Sequence, residues 1–236
     1  MSGFKGAKLL YRAGRMLAQF CFRAFGRLEV TGADGVPKHG PLIVVCNHIS
    51  LNDPPLLVAA IPRALYFVGK KELFSTVISR FGMRAFHVSP FNRSAAGIDA
   101  MRVLMQNLER DRAVVIFPEG TRSPDATLQQ GMQGVVYLAL KSQAPILPVA
   151  VTGTEKFPLW RIPFPFRTMR AKIGPVFSLP VIEGNPSKEV MSSMLDMVMG
   201  RIADQLPEDY KGVYGGQSSR KSGGQSGETP AGQAVQ

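Results

Sequence analysis

The sequence has few cysteines and no long apolar segment. Its two cysteines, Cys21 and Cys46, are too few for a disulfide framework, and they fit a reducing compartment in which buried thiols behave as small apolar residues. No apolar run approaches the roughly 18 residues that a membrane-spanning helix needs. The N-terminus has basic residues but no apolar signal core with a small-residue cleavage site, so we expect no secretory peptide.

Acidic residues are also scarce. The 236 residues include 17 Asp and Glu against 28 Lys and Arg, which gives a net charge of +11. Such an excess indicates an anionic partner, and the candidates are nucleic acid, an anionic membrane and a phosphorylated substrate. The three histidines, His39, His48 and His87, have no metal-ligand spacing, so we expect no metal site.

Residues 1–28 have the pattern of one or two amphipathic helices. Apolar side chains recur at helical spacing, and basic side chains lie between them. This pattern is typical of a helix at a membrane interface, and equally of a surface helix packed on its own domain. The apolar residues are Leu9, Leu10, Met16, Leu17, Phe20 and Phe25, and the basic residues are Lys5, Lys8, Arg12, Arg15, Arg23 and Arg27.

Residues 156–172 form a second aromatic and basic segment, and its prolines argue against regular structure. Aromatic rings at headgroup depth and cations near anionic lipids suit a lipid interface. Stacking on single-stranded nucleic acid would use the same side chains, and some of the rings could belong to the core. The aromatic residues are Phe157, Trp160, Phe164 and Phe166, and the basic residues are Lys156, Arg161, Arg167, Arg170 and Lys172.

Strand and helix patterns alternate from residue 40 onwards. This alternation predicts a single α/β domain with a mostly parallel mixed sheet flanked by helices, preceded by N-terminal amphipathic membrane-surface helices. We divide the chain into amphipathic helices at 1–30, a domain at 31–210 and a disordered tail at 211–236. Strands are predicted at 40–48, 64–70, 85–89, 113–120 and 144–153, with an edge strand at 171–179, and helices at 71–82, 94–110, 131–142 and 186–206, the last capped by Ser187.

The segment "NHISLNDPP" follows the first predicted strand and contains His48 and Asp53. A neutral imidazole can remove a proton from an alcohol, and a carboxylate on its other nitrogen fixes the tautomer and stabilises the imidazolium. A strand end followed by a helix N-terminus can bring the two side chains together. The alternative is that Asp53 only caps the helix, with Pro54 at its first position, and that His48 is an ordinary loop residue.

Two further polar clusters follow predicted strands, where ligands collect in open α/β sheets. One contains Arg93, and the other is "FPEGTRS" at 117–123. A glycine after a strand allows close backbone approach, and free N–H groups can hold an anion or an oxyanion. Arg93 and Arg122 each match a phosphate, although a lone arginine is usually a solvated surface charge. Cys46 is a rival nucleophile, but its place in an apolar run favours burial.

Together these motifs resemble the glycerolipid acyltransferase family, in particular the bacterial 1-acylglycerol-3-phosphate acyltransferases. The first family block, Asn-His-x4-Asp, appears as "NHISLNDPP", and the Lys-Glu-Leu-Phe segment after it appears in "KKELF" at 70–74. The second block stands as "VSPFNRS", the third as "FPEGTRS", and the fourth, a proline within a hydrophobic strand, as "ILPVAV" at 146–151. The resemblance makes 31–210 an acyltransferase domain.

The resemblance implies a role for each block. His48 would be the general base that deprotonates the acceptor hydroxyl, and Asp53 would orient it. Pro148 would shape the acyl-donor side. The alcohol would attack the thioester of acyl-CoA or acyl-carrier protein directly, so no cofactor, metal or acyl-enzyme is expected. The residues implied in binding the acceptor are Arg93, Glu119, Gly120, Thr121 and Arg122.

The resemblance also implies lysophosphatidic acid as the acceptor, phosphatidic acid as the product, and a peripheral or monotopic position on the cytoplasmic face of the inner membrane, whose anionic surface would be a partner. Nucleic acid would then not be a partner. Three alternatives stay open. They are an acyltransferase that uses another acceptor, such as lyso-ornithine lipid or glycerol 3-phosphate, a non-catalytic basic binder of membranes or nucleic acid, and a hydrolase that activates water.

Overall fold

The computed structural model describes residues 2–91, 97–155, 166–182 and 184–215. The helices within these ranges are Ser2–Ala24 (α1), Asp53–Ala60 (α2), Val77–Ala85 (α3), Ile98–Leu108 (α4), Gly134–Ser142 (α5) and Lys188–Ala203 (α6). The strands are Arg27–Thr31 (β1), Leu42–Cys46 (β2), Leu65–Lys70 (β3), Val88–Phe91 (β4), Ala113–Ile116 (β5), Ile146–Thr152 (β6) and Thr168–Ile173 (β7).

The seven strands of the described residues form one sheet in the order β1-β7-β6-β2-β5-β3-β4. Neighbouring strands are parallel except β6 and β7, which are antiparallel. The predicted single α/β domain with a mostly parallel mixed sheet is therefore confirmed. The central strand β2 lies between β5 and β6, so the carboxyl ends of these three strands meet at one edge of the sheet.

Helices cover both faces of this sheet. The first core joins α1 and α2 to one face, and the second joins α4, α5 and α6 to the other. The side chains of β2 alternate between them, with Leu42, Val44 and Cys46 in the first core and Ile43 and Val45 in the second. All five residues of β2 are buried, as expected for a charge-free strand between two layers of helices.

The structure corrects the prediction of an edge strand at 171–179. Strand β7 ends at Ile173 and lies inside the sheet, between β1 and β6. Gly174 and Pro175 follow its end and so do not interrupt its ladder. Strand β1 is not predicted from the sequence, because its one glutamate and flanking arginine mask a short alternating pattern. In the sheet, Arg170 of β7 donates to Glu29 of β1 from Nε to Oε2 at 2.7 Å.

Helix α1 is a single helix with apolar side chains both towards the domain and towards solvent. Tyr11 and Phe22 are buried in the first core. A second apolar set, which lies on the surface, is between 61% and 70% exposed and consists of Leu9, Met16, Leu17 and Phe20. Within the described residues no helix has both the length and the apolar character that crossing a bilayer requires.

The chain after α6 packs against the loop that follows "FPEGTRS". The carbonyl of Tyr210 accepts from the Leu128 N–H at 2.8 Å, and the buried Tyr214 accepts from the Gly131 N–H at 3.4 Å through its hydroxyl. Residues 211–215 therefore belong to the folded domain, which corrects the predicted start of the tail at 211. Residues 216–236 lie outside the described residues. At the other end of α6, Ser187 caps the helix as predicted.

Candidate active site

Asn47 fixes the chain where it leaves β2. Its side chain is buried and bonds to both backbone groups of Val151 in β6, with Nδ2 donating to the carbonyl at 2.9 Å and Oδ1 accepting from the N–H at 2.8 Å. The side-chain amide thus makes the two hydrogen bonds that a neighbouring strand would make, and it extends the β2–β6 pairing one residue beyond Cys46. This contact determines where the next residue, His48, leaves the sheet.

His48 and Asp53 are in direct contact, with 2.8 Å between Nδ1 and Oδ2. The imidazole also stacks on Phe117, with the ring centroids 4.1 Å apart and the planes 20° apart. Its side chain is 16% exposed, and Nε2 has no hydrogen-bond partner among the described residues. An ionised carboxylate only accepts hydrogen bonds, so Nδ1 is the donor in this contact, and in the neutral form of the ring Nε2 would present a lone pair.

Asp53 is the first residue of α2, so the structure corrects the prediction that it precedes the helix as its cap. Its carboxylate is fully buried and faces back along the chain. Oδ2 accepts from the backbone N–H groups of Ile49 and Ser50, both at 2.8 Å, in addition to His48. Oδ1 accepts from the hydroxyl of Thr154 at 2.5 Å. These bonds satisfy the buried charge and fix the carboxylate against the imidazole.

Glu119 is a second buried carboxylate, and it holds the backbone rather than facing solvent. It is 5% exposed. Oε1 accepts from the N–H of His48 at 2.7 Å, and Oε2 accepts from the N–H of Gln129 at 3.0 Å. Burial raises the pKa of Glu119, while these two hydrogen bonds oppose the shift. Glu119 therefore ties the start of the His48 turn to the loop that follows "FPEGTRS".

The turn at 120–123 lies directly beside His48. Gly120 has a φ of 67°, in the left-handed region that favours glycine. The Ser123 N–H donates to the carbonyl of His48 at 2.7 Å. Thr121 and Arg122 are exposed, and in the part of the chain that is described their backbone N–H groups have no acceptor.

Of the remaining candidate residues from the sequence analysis, those that the structure describes make no hydrogen bond with His48 or Asp53. Pro148 is buried inside β6, where it lies opposite Val45 of β2. Arg93 lies outside the described residues, as does most of the aromatic and basic segment, 156–165. No cluster of side chains suited to a metal occurs among the residues whose structure is described. Cys46 is fully buried, and burial raises the pKa of its thiol well above the ordinary value, so the thiolate that a nucleophile requires is disfavoured.

Three contributors to the site were not assigned from sequence. Asn47 lies inside the first motif, but its contact to Val151 depends on the β2–β6 pairing. Phe117 lies in the third motif, where its ring packs on His48. Thr154 is separated from Asp53 by 101 positions, and no local pattern marks it.

The sequence matches the acyltransferase family over residues 27–152. It is 29% identical over 175 residues to a 1-acyl-sn-glycerol-3-phosphate acyltransferase of Cocos nucifera, covering 72% of this chain and 55% of the relative. The protein of that name from Bacillus subtilis (strain 168) is 26% identical over 181 residues, which cover 76% and 88% of the two chains. Against several curated relatives, this chain spans only about half of their length or less.

A solved structure has the same fold. The 1-acyl-sn-glycerophosphate (LPA) acyltransferase PlsC of Thermotoga maritima superposes with a TM-score of 0.63 at 27% sequence identity, and the match covers 81% of this chain and 78% of that one. The family match at 27–152 includes His48, Asp53, Glu119 and Arg122, whereas Thr154 lies just beyond it.

Proposed function

Because this chain belongs to the acyltransferase family, we propose that it is an O-acyltransferase that moves a fatty acyl group from a thioester to the free hydroxyl of lysophosphatidic acid. The product would be phosphatidic acid, a step in phospholipid synthesis. The relatives named above support this substrate class by their own names. The observation that carries the proposal is the 2.8 Å contact between His48 Nδ1 and Asp53 Oδ2, which leaves Nε2 without a hydrogen bond to any described residue.

The chemical step begins at His48. Nε2 takes the proton of the acceptor hydroxyl as its oxygen attacks the carbonyl carbon of the thioester, and the buried carboxylate of Asp53 stabilises the imidazolium. A C–O bond forms and the carbonyl π electrons move onto oxygen. Collapse of this intermediate breaks the C–S bond, and the leaving thiolate takes the proton back from the imidazolium. The thioester is already activated, so the reaction needs no cofactor.

Backbone donors beside His48 suit the oxyanion of that intermediate. The N–H groups of Thr121 and Arg122 lack acceptors among the described residues, and the positive φ of Gly120 directs the turn that presents them. Donors that are fixed before the reaction stabilise developing negative charge without reorganisation. We assign this role to the turn at 120–123, which the Ser123 N–H joins to the carbonyl of His48 at 2.7 Å.

The acceptor phosphate would be bound by arginine. Arg122 is exposed beside the site, and its side chain makes no hydrogen bond or ion pair with the described residues. A guanidinium offers two parallel donors to a phosphate. Arg93 would add a second cation. We propose that Glu119 supports acceptor binding indirectly, by fixing the loop, because both of its carboxylate oxygens already accept hydrogen bonds from backbone N–H groups. Pro148 keeps its proposed place on the acyl-donor side.

The lipid acceptor requires access to a membrane, and α1 offers a surface for it. Leu17 and Phe20 are more than 60% exposed, and the net charge of +11 favours an anionic bilayer. We propose that the chain lies peripherally on the cytoplasmic face of the cell membrane through this helix. The apolar side chains would enter the interface, while the basic side chains between them meet lipid phosphates.

An acyl-transfer assay tests the proposal. Purified protein would be given acyl-CoA or acyl-carrier-protein thioester with lysophosphatidic acid, lyso-ornithine lipid or glycerol 3-phosphate, and products would be identified by mass. We expect phosphatidic acid from lysophosphatidic acid. Transfer only to another acceptor would reject the substrate, thioester hydrolysis without any acceptor would indicate a hydrolase, and no turnover with salt-sensitive DNA binding would reject catalysis.

A further inference from the structure

Thr154 is buried against the carboxylate that orients His48. We infer that its hydroxyl is a positioning group, which holds Asp53 in the orientation that directs Oδ2 to the imidazole. The inference rests on the proposed function, because it assigns a role within that reaction. Thr154 Oγ1 lies 2.5 Å from Asp53 Oδ1, and both residues are almost completely inaccessible to solvent.

The fold specifies where Thr154 lies. Strand β6 is fixed beside β2, and the clamp of Asn47 on Val151 sets the register close to the end of β6. Gly153 then turns the chain with a φ of 84°, and a Cβ here would meet the carbonyl oxygen of Thr168 at 2.2 Å. The Gly153 N–H donates to Glu155 Oε2 at 2.9 Å, which closes this turn. The conformation of the backbone at residues 151–155 therefore places the Thr154 hydroxyl against Asp53.

The two carboxylate oxygens of Asp53 have unequal partners. Oδ2 accepts from His48 and from the backbone of Ile49 and Ser50, while Oδ1 accepts only from Thr154 within the described part of the chain. A buried carboxylate oxygen without a donor is costly. Removal of the hydroxyl would therefore favour rotation of the carboxylate towards other donors, and the imidazole would lose its fixed orientation.

The test compares Thr154→Val, which keeps the shape and removes the hydroxyl, with Thr154→Ser, which keeps the hydroxyl. We expect Thr154→Val to lower kcat about tenfold, with little change in KM for the acceptor, because the change disturbs the orientation of the reacting pair and not the residues proposed to bind the acceptor. Thr154→Ser should restore kcat. The matched control is Thr152→Val, which removes the hydroxyl of a buried threonine in β6 that is not among the hydrogen-bond donors to Asp53 within the described residues, and it should behave as wild type.

Three results would overturn the inference: wild-type kinetics in Thr154→Val, equal impairment in Thr154→Ser, or a loss that appears in KM for the acceptor while kcat keeps its wild-type value. If the valine variant does not fold, Thr154→Cys replaces it, because a thiol is the weaker donor. The Thr154→Cys variant should then have a lower kcat than Thr154→Ser, and equal kcat values would reject the positioning role of the hydroxyl. Acyl transfer by the wild type and its loss in His48→Ala test the proposed function separately from these outcomes.

Discussion

Asp53 and Glu119 are both buried carboxylates, and they hold the His48 turn from two sides. Asp53 binds the ring of His48 and the N–H groups of Ile49 and Ser50, while Glu119 binds the N–H of His48 itself. Short hydrogen bonds to charged acceptors are among the stronger ones in proteins. Backbone and side chain of one residue are thus fixed independently, which is what a general base requires if its Nε2 atom is to meet a substrate hydroxyl.

Glu119 should give the stability of the protein a recognisable pH dependence. Burial raises its pKa above the ordinary 4.5, so the folded protein binds a proton that the unfolded chain has already released. The contribution of Glu119 to the free energy of unfolding is therefore complete below pH 4.5 and is lost as pH rises through the raised pKa. Urea unfolding of wild type and Glu119→Gln should give a difference, wild type minus variant, that shrinks as pH rises towards neutrality.

A difference that instead grows with pH would contradict this prediction. It would mean that the two N–H donors of His48 and Gln129 outweigh burial and lower the pKa of Glu119 in the folded protein. Asp125 serves as the comparison, because it is exposed and its hydrogen bonds to Ser123 and Thr127 lower its pKa. Asp125→Asn should leave a difference from wild type that grows with pH.

At the scale of secondary-structure elements, Arg63 links the segment before β2 to the segment before β5. Its guanidinium donates to the carbonyls of Pro37 at 3.0 Å and Asp111 at 2.8 Å, and also to those of His39 and Gly40. The arginine therefore fixes the amino ends of two central strands, at the opposite end of the sheet from the site.

Replacement of Arg63 by methionine should destabilise the fold without direct effect on chemistry. We expect the free energy of unfolding to fall by about 2 kcal/mol, because several carbonyls lose a charged donor. Guanidinium unfolding with an unchanged m-value measures this loss. Arg102→Met is the matched control, since Arg102 is exposed and pairs with Asp99 only at 3.7 Å. Equal stability of the two variants would show that the carbonyl contacts of Arg63 contribute little.

Helix α1 is the element that should bind the membrane. Phe20→Asp places a charge in its exposed apolar set, so we expect binding to anionic vesicles to weaken at least about tenfold, given the transfer energy of a phenylalanine side chain. Met197→Asp is the control, because Met197 is exposed on α6, which covers the other face of the sheet. Vesicle co-sedimentation measures both. Equal binding by both variants would exclude α1 as the contact surface.

Elements with one dominant local pattern could be predicted from the sequence, and those defined by their neighbours could not. Strand β2 is uniformly apolar and β-branched, and α2 begins beside a double proline, so both are evident locally. Strands β1 and β7 carry alternating charged residues that pair across the sheet, as Glu29 does with Arg170. Only the assembled sheet shows that β7 is interior and that its charges face outward.

At the scale of the whole molecule, the site is assembled at the carboxyl edge of the central strands. His48 follows β2, Glu119 follows β5 and Thr154 follows β6, so one residue from each of three neighbouring strands reaches the same place. The first two occur in motifs of contiguous residues and could be found from sequence. Thr154 requires knowledge that β6 lies beside β2, a pairing that joins residues about 100 positions apart.

The layer that contains α1 and α2 carries both Asp53, the first residue of α2, and the exposed apolar set of α1. The carboxylate that contacts His48 and the proposed membrane surface are therefore parts of one layer of the fold.

The rate of acyl transfer by His48→Ala tests the account most directly. The variant removes the ring and Nε2 while Asp53 and Glu119 keep their backbone donors, so the fold should persist and circular dichroism should match wild type. We expect turnover to fall by at least ~100-fold, with His39→Ala, an exposed histidine, unchanged. A folded His48→Ala variant that retains about a tenth or more of wild-type turnover would contradict a general base at this position.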